Sequence, residues 1–277
     1  IAALEAALDG SLFAGQPAGY RDPIAVTDFD LLPAEYAESN LANLVSDAVR
    51  WTTAAHTPEG TIDVAFEANG VIREGLHAGE TGEILLGDAF RVIPLGIGPD
   101  QALGYPMLSF WLTGNELRLA MEVTVGIAPL LADSFFVQVS GLRIEYDPDG
   151  GFFSKVTAIH LGDEVGGYSA VPLDTAADNP TLYHVAANLY LGQMLGVLKD
   201  FTGGALAIDP KDAAGTPYPA PVDALLDTDP EQPGIQELKL WQTLPEYLAT
   251  FPVDPDSGLP RIPERYRQAQ GRIQVAE

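Results

Sequence analysis

The spacing of apolar residues changes from a helical to an extended period within the first quarter of this chain. A stripe at positions i, i+3, i+4, i+7 and i+8 predicts an amphipathic helix, with Ser39 or Asn40 as its N-cap. Between Thr61 and Phe66, apolar residues alternate with polar ones, which is typical of a strand. Because helical and strand patterns both occur in the chain, the sequence predicts a mixed α/β (α+β) fold in which helices pack on sheets. The stripe consists of Leu41, Leu44, Val45, Ala48 and Val49.

The rest of the chain repeats this irregular alternation. Thr113 and Glu116 form a capping-box pattern that predicts a helix start, and two alternating runs around Gly141 predict one strand with a bulge or bend. Residues 1–10 have helical character and residues 11–23 are interpreted as a loop. The remaining predictions are a short extended piece over 24–32, a short helix or strand pair ending at Pro94, a strand over 155–161, and helices over 181–200 and 237–251.

Composition excludes several classes of function. The 277 residues carry 39 acidic and 14 basic side chains, a formal charge of −25, so nucleic acid and anionic membranes would be repelled. The chain has no cysteine, which rules out disulfides, thiolate metal sites and a cysteine nucleophile. No apolar run reaches the roughly 18 residues that a membrane span needs.

The segment FEANGVIREG, residues 66–75, places Arg73 just after a glycine turn that follows a predicted strand. Two interpretations are open. Arg73 forms a structural ion pair with Glu67 or Glu74, or it faces a cleft and receives an anionic ligand.

Five segments, in this order, resemble the C-terminal domain of the 5′-nucleotidase family, whose enzymes remove phosphate from nucleotides. The resemblance covers about residues 24–200 and implies a layered α/β/β/α architecture. It also implies an N-terminal metallophosphoesterase domain in the same polypeptide, which holds two divalent metal ions and is missing from this chain. The segments are ESNLANLVSDA, DVAFEANGVIR, GDAFRVIPLG, LTGNELRLAME and VSGLRIEYDP.

The resemblance assigns substrate-binding roles position by position. The family's phosphate-binding arginine falls on Arg73, and Asn69 lies one place from the expected asparagine, beside the backbone of Gly70. A stacking phenylalanine of the family falls on Leu95, next to Gly96, and its neighbouring asparagine falls on Ile97. The second stacking aromatic falls on Tyr190, where a core tyrosine is the alternative interpretation. The aspartate expected after it and a further phosphate arginine near Glu35 have no counterpart.

The resemblance also sets expectations for the whole chain. We expect residues 1–23 to be the end of an interdomain linker, 24–200 the family domain, and 201–277 a proline-rich tail that wraps the same domain. The expected function is substrate recognition for a periplasmic or extracellular nucleotidase-like hydrolase, with no catalytic or metal-binding residue in this chain. The alternative is a structural or interaction module that has lost the nucleotide site. The four histidines, His56, His77, His160 and His184, are scattered and contain no H-x-H pair.

Overall fold

Five α-helices and two four-stranded sheets organise the residues that the computed structural model describes, which are 11–13, 16–172 and 181–276. The helices are α1 (Asn40–His56), α2 (Leu86–Val92), α3 (Gly114–Glu122), α4 (Leu189–Phe201) and α5 (Leu240–Leu248). The strands are β1 (Ser11–Phe13), β2 (Gln16–Ala18), β3 (Pro23–Val26), β4 (Val64–Ala68), β5 (Glu83–Leu85), β6 (Met107–Thr113), β7 (Val137–Ser140), β8 (Leu142–Tyr146), β9 (Val156–Asp163), β10 (Gly167–Ala170), β11 (Leu182–Asn188) and β12 (Ile273–Val275).

The central sheet has the order β6-β11-β4-β7, in which β11 runs antiparallel to β6 and parallel to β4. The second sheet has the order β10-β9-β8-β12, and β12 joins it parallel to β8. Two smaller antiparallel pairs, β1 with β2 and β3 with β5, complete the described sheets.

The predicted helix starts are confirmed by their caps. The Ser39 hydroxyl accepts a hydrogen bond from the Ala42 backbone N–H at 3.1 Å, which makes Ser39 the N-cap of α1. At α3, the Thr113 hydroxyl accepts from the Glu116 backbone N–H at 3.3 Å, and the Glu116 carboxylate accepts from the Thr113 N–H at 2.9 Å. This reciprocal pair is the capping box that the sequence predicted.

The central sheet is buried on both faces. Because side chains alternate along a strand, Ala65 packs with α1 and α5 on one face, whereas Val64 and Phe66 pack on the other. That second face is covered by α3, α4 and apolar side chains of β8 and β9. The predicted mixed α/β layering is therefore confirmed.

The prediction of one helix over residues 181–200 is wrong. The segment forms β11 in the middle of the central sheet, and α4 begins only at Leu189. The short apolar run before Asn188 fits a buried strand as well as a helix, and periodicity alone does not distinguish them. The Asn188 side chain accepts from the Leu191 backbone N–H at 3.1 Å and starts the helix there.

Gly141 alone separates β7 of the central sheet from β8 of the second sheet, where the sequence predicted a single bent strand. Its φ is +78°, and a Cβ atom at this position would lie 1.9 Å from the carbonyl oxygen of Asp63. Only glycine fits this joint.

Two further segments differ from expectation. Within residues 11–23, predicted as a loop, β1 pairs with β2. The segment ending at Pro94 is a strand followed by a helix, β5 and α2. The predicted helix over residues 1–10 lies outside the described residues.

Residues beyond 200 build part of the main body. Leu240, Leu244 and Leu248 of α5 are fully buried against α1 in the core on the first face of the central sheet. Near the end of the chain, Arg272 is 1% exposed and precedes β12. The C-terminal segment is therefore integral to the packing of this body.

Candidate ligand-binding site

The glycine turn begins where β4 ends, and its asparagine is held by the protein itself. The Asn69 amide donates to the Ala34 carbonyl and to an Asp133 carboxylate oxygen, both at 3.0 Å. Its oxygen accepts from the Gln138 side chain at 2.9 Å. All the polar atoms of this side chain are therefore engaged in fixing the turn.

Gly70 is packed closely from one side. A Cβ atom there would lie 3.0 Å from both the Cβ and the carbonyl oxygen of Ser134. The Gly70 carbonyl in turn accepts from the Arg73 Nη1 at 3.4 Å. Glycine at this position lets the turn approach the 133–135 loop, and its carbonyl steadies the arginine.

Arg73 is exposed and makes no ion pair with any described residue. Neither expected carboxylate partner is available, because Glu67 is fully buried and Glu74 pairs with Arg91 at 2.8 Å. The Arg73 backbone N–H donates to the Val92 carbonyl at 2.8 Å, which fixes it at the end of α2. The structure therefore disfavours the ion-pair interpretation and leaves most guanidinium donors of Arg73 unengaged.

Leu95 and Gly96 open a tight hairpin that returns at Tyr105. The Tyr105 N–H donates to the Leu95 carbonyl, and the Gly104 N–H donates to the Gly96 carbonyl, both at 2.9 Å. Gly96 has φ +98°, and a Cβ atom there would lie 2.4 Å from the Tyr105 ring. Glycine thus allows this ring to rest directly on the backbone.

Tyr105 forms an aromatic pair with Tyr190, the second residue of α4. Their ring centroids are 5.6 Å apart and the rings are tilted by 36°. Burial, and then the neighbouring Tyr105, raise the pKa of the half-buried Tyr190 phenol above its usual value. The structure therefore brings Gly96, Tyr105 and Tyr190 together. It also bonds the Arg73 backbone to Val92, the last residue of α2, and Val92 precedes Leu95 by three residues.

Sequence reasoning missed Tyr105. The family pattern places an aromatic at Leu95, not ten residues later, and Tyr105 belongs to none of the five matching segments. The two glycines that flank the hairpin, Gly96 and Gly104, were the available signal in the sequence, because glycine marks tight turns. In the structure both adopt positive φ values, +98° and +102°.

A buried acid is hydrogen-bonded to the residue that caps the helix carrying Tyr190. Glu67 accepts from the Asn188 side chain at 2.7 Å and from the Ala68 N–H at 2.9 Å, through the same carboxylate oxygen. Its other oxygen has no partner among the described residues. Burial raises the pKa of Glu67 to about 8, although these two hydrogen bonds act in the opposite direction. With this pKa, Glu67 is mostly protonated at pH 7, and it connects the end of β4 to the cap of the helix that carries Tyr190.

The histidines are spread over the fold and each has a local neighbour. His184, for example, stacks on Trp111 with ring centroids 4.0 Å apart. Across residues 11–13, 16–172 and 181–276, no group of three or more His, Asp or Glu side chains could hold a metal ion. The nearest polar contacts of the other three are His56 with Glu246, His77 with Asp30 and His160 with Glu145.

In the same described ranges, no helix has both the length and the apolar character that crossing a bilayer requires.

Similar folds occur in longer solved proteins. A 5′-nucleotidase precursor from Thermus thermophilus matches with 23% identity and a TM-score of 0.59, over 92% of this chain and 40% of that chain. The NAD nucleotidase of Haemophilus influenzae matches with 10% identity and a TM-score of 0.55, over 93% and 39%. A sulfate thiohydrolase of Thermus thermophilus matches with 18% identity and a TM-score of 0.53, over 92% and 35%. At these identities the similarity shows the fold, and this chain spans 40% or less of each of these three chains.

None of the curated proteins matches this sequence. Residues 17–198 match the model of a protein family described as 5′-nucleotidase, C-terminal domain, which is well over half of the chain. The chain therefore belongs to the family of 5′-nucleotidase C-terminal domains.

Proposed function

We propose that this chain is the substrate-recognising part of a longer, nucleotidase-like phosphoric monoester hydrolase. The observation that carries the proposal is Arg73, an exposed guanidinium without a carboxylate partner among the described residues, at the position of the family's phosphate-binding arginine. In a chain of net charge −25, a phosphate ester needs such a local group of donors to overcome the general repulsion.

Arg73 receives the phosphate or the ribose in this proposal. Its Nη1 contacts only the Gly70 carbonyl, at 3.4 Å, so the remaining N–H groups can form a two-pronged contact with phosphate oxygens. The bond from its backbone N–H to Val92 holds the residue in place before a ligand arrives. Asn69 and Gly70 keep the turn in shape, since their own polar and packing contacts are already made within the protein.

Tyr190 and Tyr105 supply the aromatic surface for a base. Leu95 occupies the position of the family's stacking phenylalanine and offers no ring, whereas Tyr105 reaches the same hairpin from its other strand. Stacking of a base on an aromatic side chain contributes roughly 1–3 kcal/mol. One tyrosine face is therefore enough for measurable but modest binding.

The substrate is a nucleotide or another small phosphate ester. Three proteins that share the fold are named as a 5′-nucleotidase, an NAD nucleotidase and a sulfate thiohydrolase, so the fold alone does not select among substrates. The family's asparagine and aspartate have no counterparts at Ile97 and after Tyr190, which favours a broad substrate preference over a strict one.

Catalysis requires a further part of the polypeptide. We propose that an N-terminal metallophosphoesterase domain with two divalent metal ions supplies the activated water, and that the whole protein acts in the periplasm or outside the cell. The residues of this chain bind and orient the substrate for that domain.

Calorimetric titration of this chain with AMP, adenosine and inorganic phosphate tests the proposal. We expect AMP to bind, and Arg73→Ala to weaken AMP binding by about tenfold or more, because a charge-assisted contact is lost. Adenosine binding should change little. Arg267→Ala removes an exposed arginine that is paired with Asp28 and Glu264, leaves the Glu74–Arg91 pair intact, and serves as the matched control.

Equal AMP binding by the Arg73→Ala and unsubstituted chains would refute the role of Arg73. Absence of binding to all three ligands would favour a structural or interaction module instead.

A further inference from the structure

A cavity of about 370 Å³ is lined by residues of α1, the tip of the β9–β10 hairpin and the C-terminal segment, and none of its lining residues belongs to the glycine turn. Helix α1 contributes Arg50 and Trp51, the hairpin contributes Asp163, and the C-terminal segment contributes Tyr247 and Arg265. We call it the C-terminal cavity. Its volume lies within the range of small-molecule sites, which is roughly 300–1,000 Å³.

Two of the carboxylates that line this cavity, Asp47 and Glu164, are held by one buried arginine. Arg272, which is 1% exposed, contacts both oxygens of Asp47 at 2.8 and 2.9 Å and both oxygens of Glu164 at 2.8 and 3.2 Å. The Tyr266 hydroxyl also donates to Asp47, at 2.7 Å. Burial alone would raise the pKa of Asp47, but the charge of Arg272 and the hydrogen bonds from Arg272, Ser140 and Tyr266 together outweigh it, and the pKa is lowered. These acids are thus fully occupied as ionised, hydrogen-bonded groups.

Arg265 is different, because it makes no ion pair with any described residue. Its Nη2 contacts only two phenol oxygens, those of Tyr247 at 3.1 Å and Tyr266 at 3.3 Å, and its guanidinium carbon lies 4.8 Å from the Tyr266 ring centroid. By contrast, the nearby Arg261 and Arg267 each pair with carboxylates. Arg265 therefore brings spare N–H donors, none of them held by a carboxylate among the described residues, to the cavity wall.

Arg50 adds donors on the helix side of the cavity. Its Nη2 contacts Asp163 at 3.2 Å, and its Nη1 reaches the Asp63 carbonyl only at 3.5 Å. The Asp163 carboxylate also accepts from the backbone N–H groups of Val165 and Gly166, at 3.0 and 2.7 Å. The cavity wall thus presents two guanidinium groups, and Asp163, like Asp47 and Glu164, already accepts hydrogen bonds from its own partners.

Trp51 gives the cavity a flat apolar wall. Trp51 is 42% exposed, and its ring centroid lies 5.9 Å from that of Tyr247. Val165, at the hairpin tip, also lines the cavity and is 84% exposed. A planar ring seated against them would bury apolar surface that is now in contact with water.

We propose that the C-terminal cavity binds a small organic anion that carries a carboxylate or phosphate group on a flat apolar ring. Arg265, helped by Arg50, holds the anionic group, and Trp51 covers the ring. This site does not depend on the proposed nucleotide site, because the two share no residue.

Benzoate and benzyl alcohol are suitable probes, since they differ in charge but share a ring. Benzoate should change the tryptophan fluorescence, and Trp51→Phe should abolish that change, because Trp111 is stacked on His184 and Trp241 is buried. Arg265→Ala should weaken benzoate binding by about tenfold or more, because the charge-assisted contact is lost. Arg91→Ala and Arg73→Ala should leave it unchanged. Phenyl phosphate in place of benzoate compares the two anionic groups.

Benzyl alcohol should bind more weakly than benzoate and should not respond to Arg265→Ala. Circular dichroism checks that the Arg265→Ala variant is folded. If it is not, raising the salt from about 50 to about 500 mM must weaken benzoate binding to the unsubstituted chain severalfold, because charge attraction is screened. No Trp51-dependent signal with benzoate, equal affinity for benzyl alcohol, or unchanged benzoate affinity in a folded Arg265→Ala chain would each overturn the proposal.

Discussion

Glu67 of β4 and Gln138 of β7 lie directly opposite each other in the central sheet, and each has one buried oxygen atom without a hydrogen-bond partner among the described residues. Two unpartnered acceptors facing the same side of neighbouring strands are costly unless one of them gains a proton. Protonated Glu67 has that proton, which agrees with its pKa of about 8.

Stability should therefore fall as pH rises from about 5 towards 8. The folded chain holds the Glu67 proton more tightly than the unfolded chain, so its contribution is complete below the ordinary carboxyl pKa and is lost as pH passes about 8. The free energy of unfolding should decrease by up to about 1.4 kcal/mol per pH unit in this window. Urea unfolding at a series of pH values measures the slope.

Glu67→Gln should remove most of this slope, because its amide keeps a donor at every pH. Glu74→Gln, at an exposed carboxylate paired with Arg91, should retain it. Parallel slopes for the unsubstituted chain and Glu67→Gln would show that Glu67 is ionised in the fold.

Arg272→Ala should destabilise the chain by about 3–5 kcal/mol, since it leaves the charges of Asp47 and Glu164 without their buried partner. Lys199→Ala removes a surface pair with Asp209, in which both side chains are 47% exposed, and should cost less than about 1 kcal/mol. Chemical denaturation of both variants provides the comparison. Similar losses would mean that Arg272 is no more important than a surface charge.

Gly96→Ala should disturb the aromatic pair. The new methyl group would both strain a backbone at φ +98° and collide with the Tyr105 ring. Gly60→Ala has a positive φ of +67° but nothing within 4 Å, so it measures the backbone strain alone, about 1–2 kcal/mol. A larger loss at Gly96, seen by thermal or chemical unfolding, would confirm the close approach of Tyr105.

Tyr190→Leu should reduce adenosine affinity by about 1 kcal/mol or more, because it removes the stacking face. Phe201→Leu, at the opposite end of α4 and 62% exposed, controls for general effects on the helix. Titration calorimetry with adenosine measures both. An unchanged affinity in Tyr190→Leu would place this tyrosine in the core and outside the ligand site.

The parts of the fold that were predicted correctly depend on short-range sequence patterns. The stripe and cap of α1 and the capping box of α3 depend on residues within one or two turns, and both were predicted correctly. The segment around Tyr190 was not, because the strand character of residues 182–188 comes from pairing with β6 and β4, which no short pattern encodes.

The site was predictable only in part, for the same reason. Arg73 could be singled out because it lies in a motif, and its exposure agrees with a ligand role. Tyr105 reaches Tyr190 only through the hairpin after Gly96, and Arg272 reaches Asp47 across 225 positions of sequence. Contacts of this kind are set by the tertiary fold.

The single-residue joint at Gly141 has a mechanical consequence. Only Gly141 lies between β7 and β8. If one sheet tilted against the other, the backbone torsions of Gly141 would have to change, although this residue is packed closely against the Asp63 backbone. The central sheet and the second sheet are therefore expected to move together. Any large swing of this body within a longer polypeptide would have to pivot elsewhere, and it would carry the aromatic pair, Arg73 and the C-terminal cavity along as a single unit.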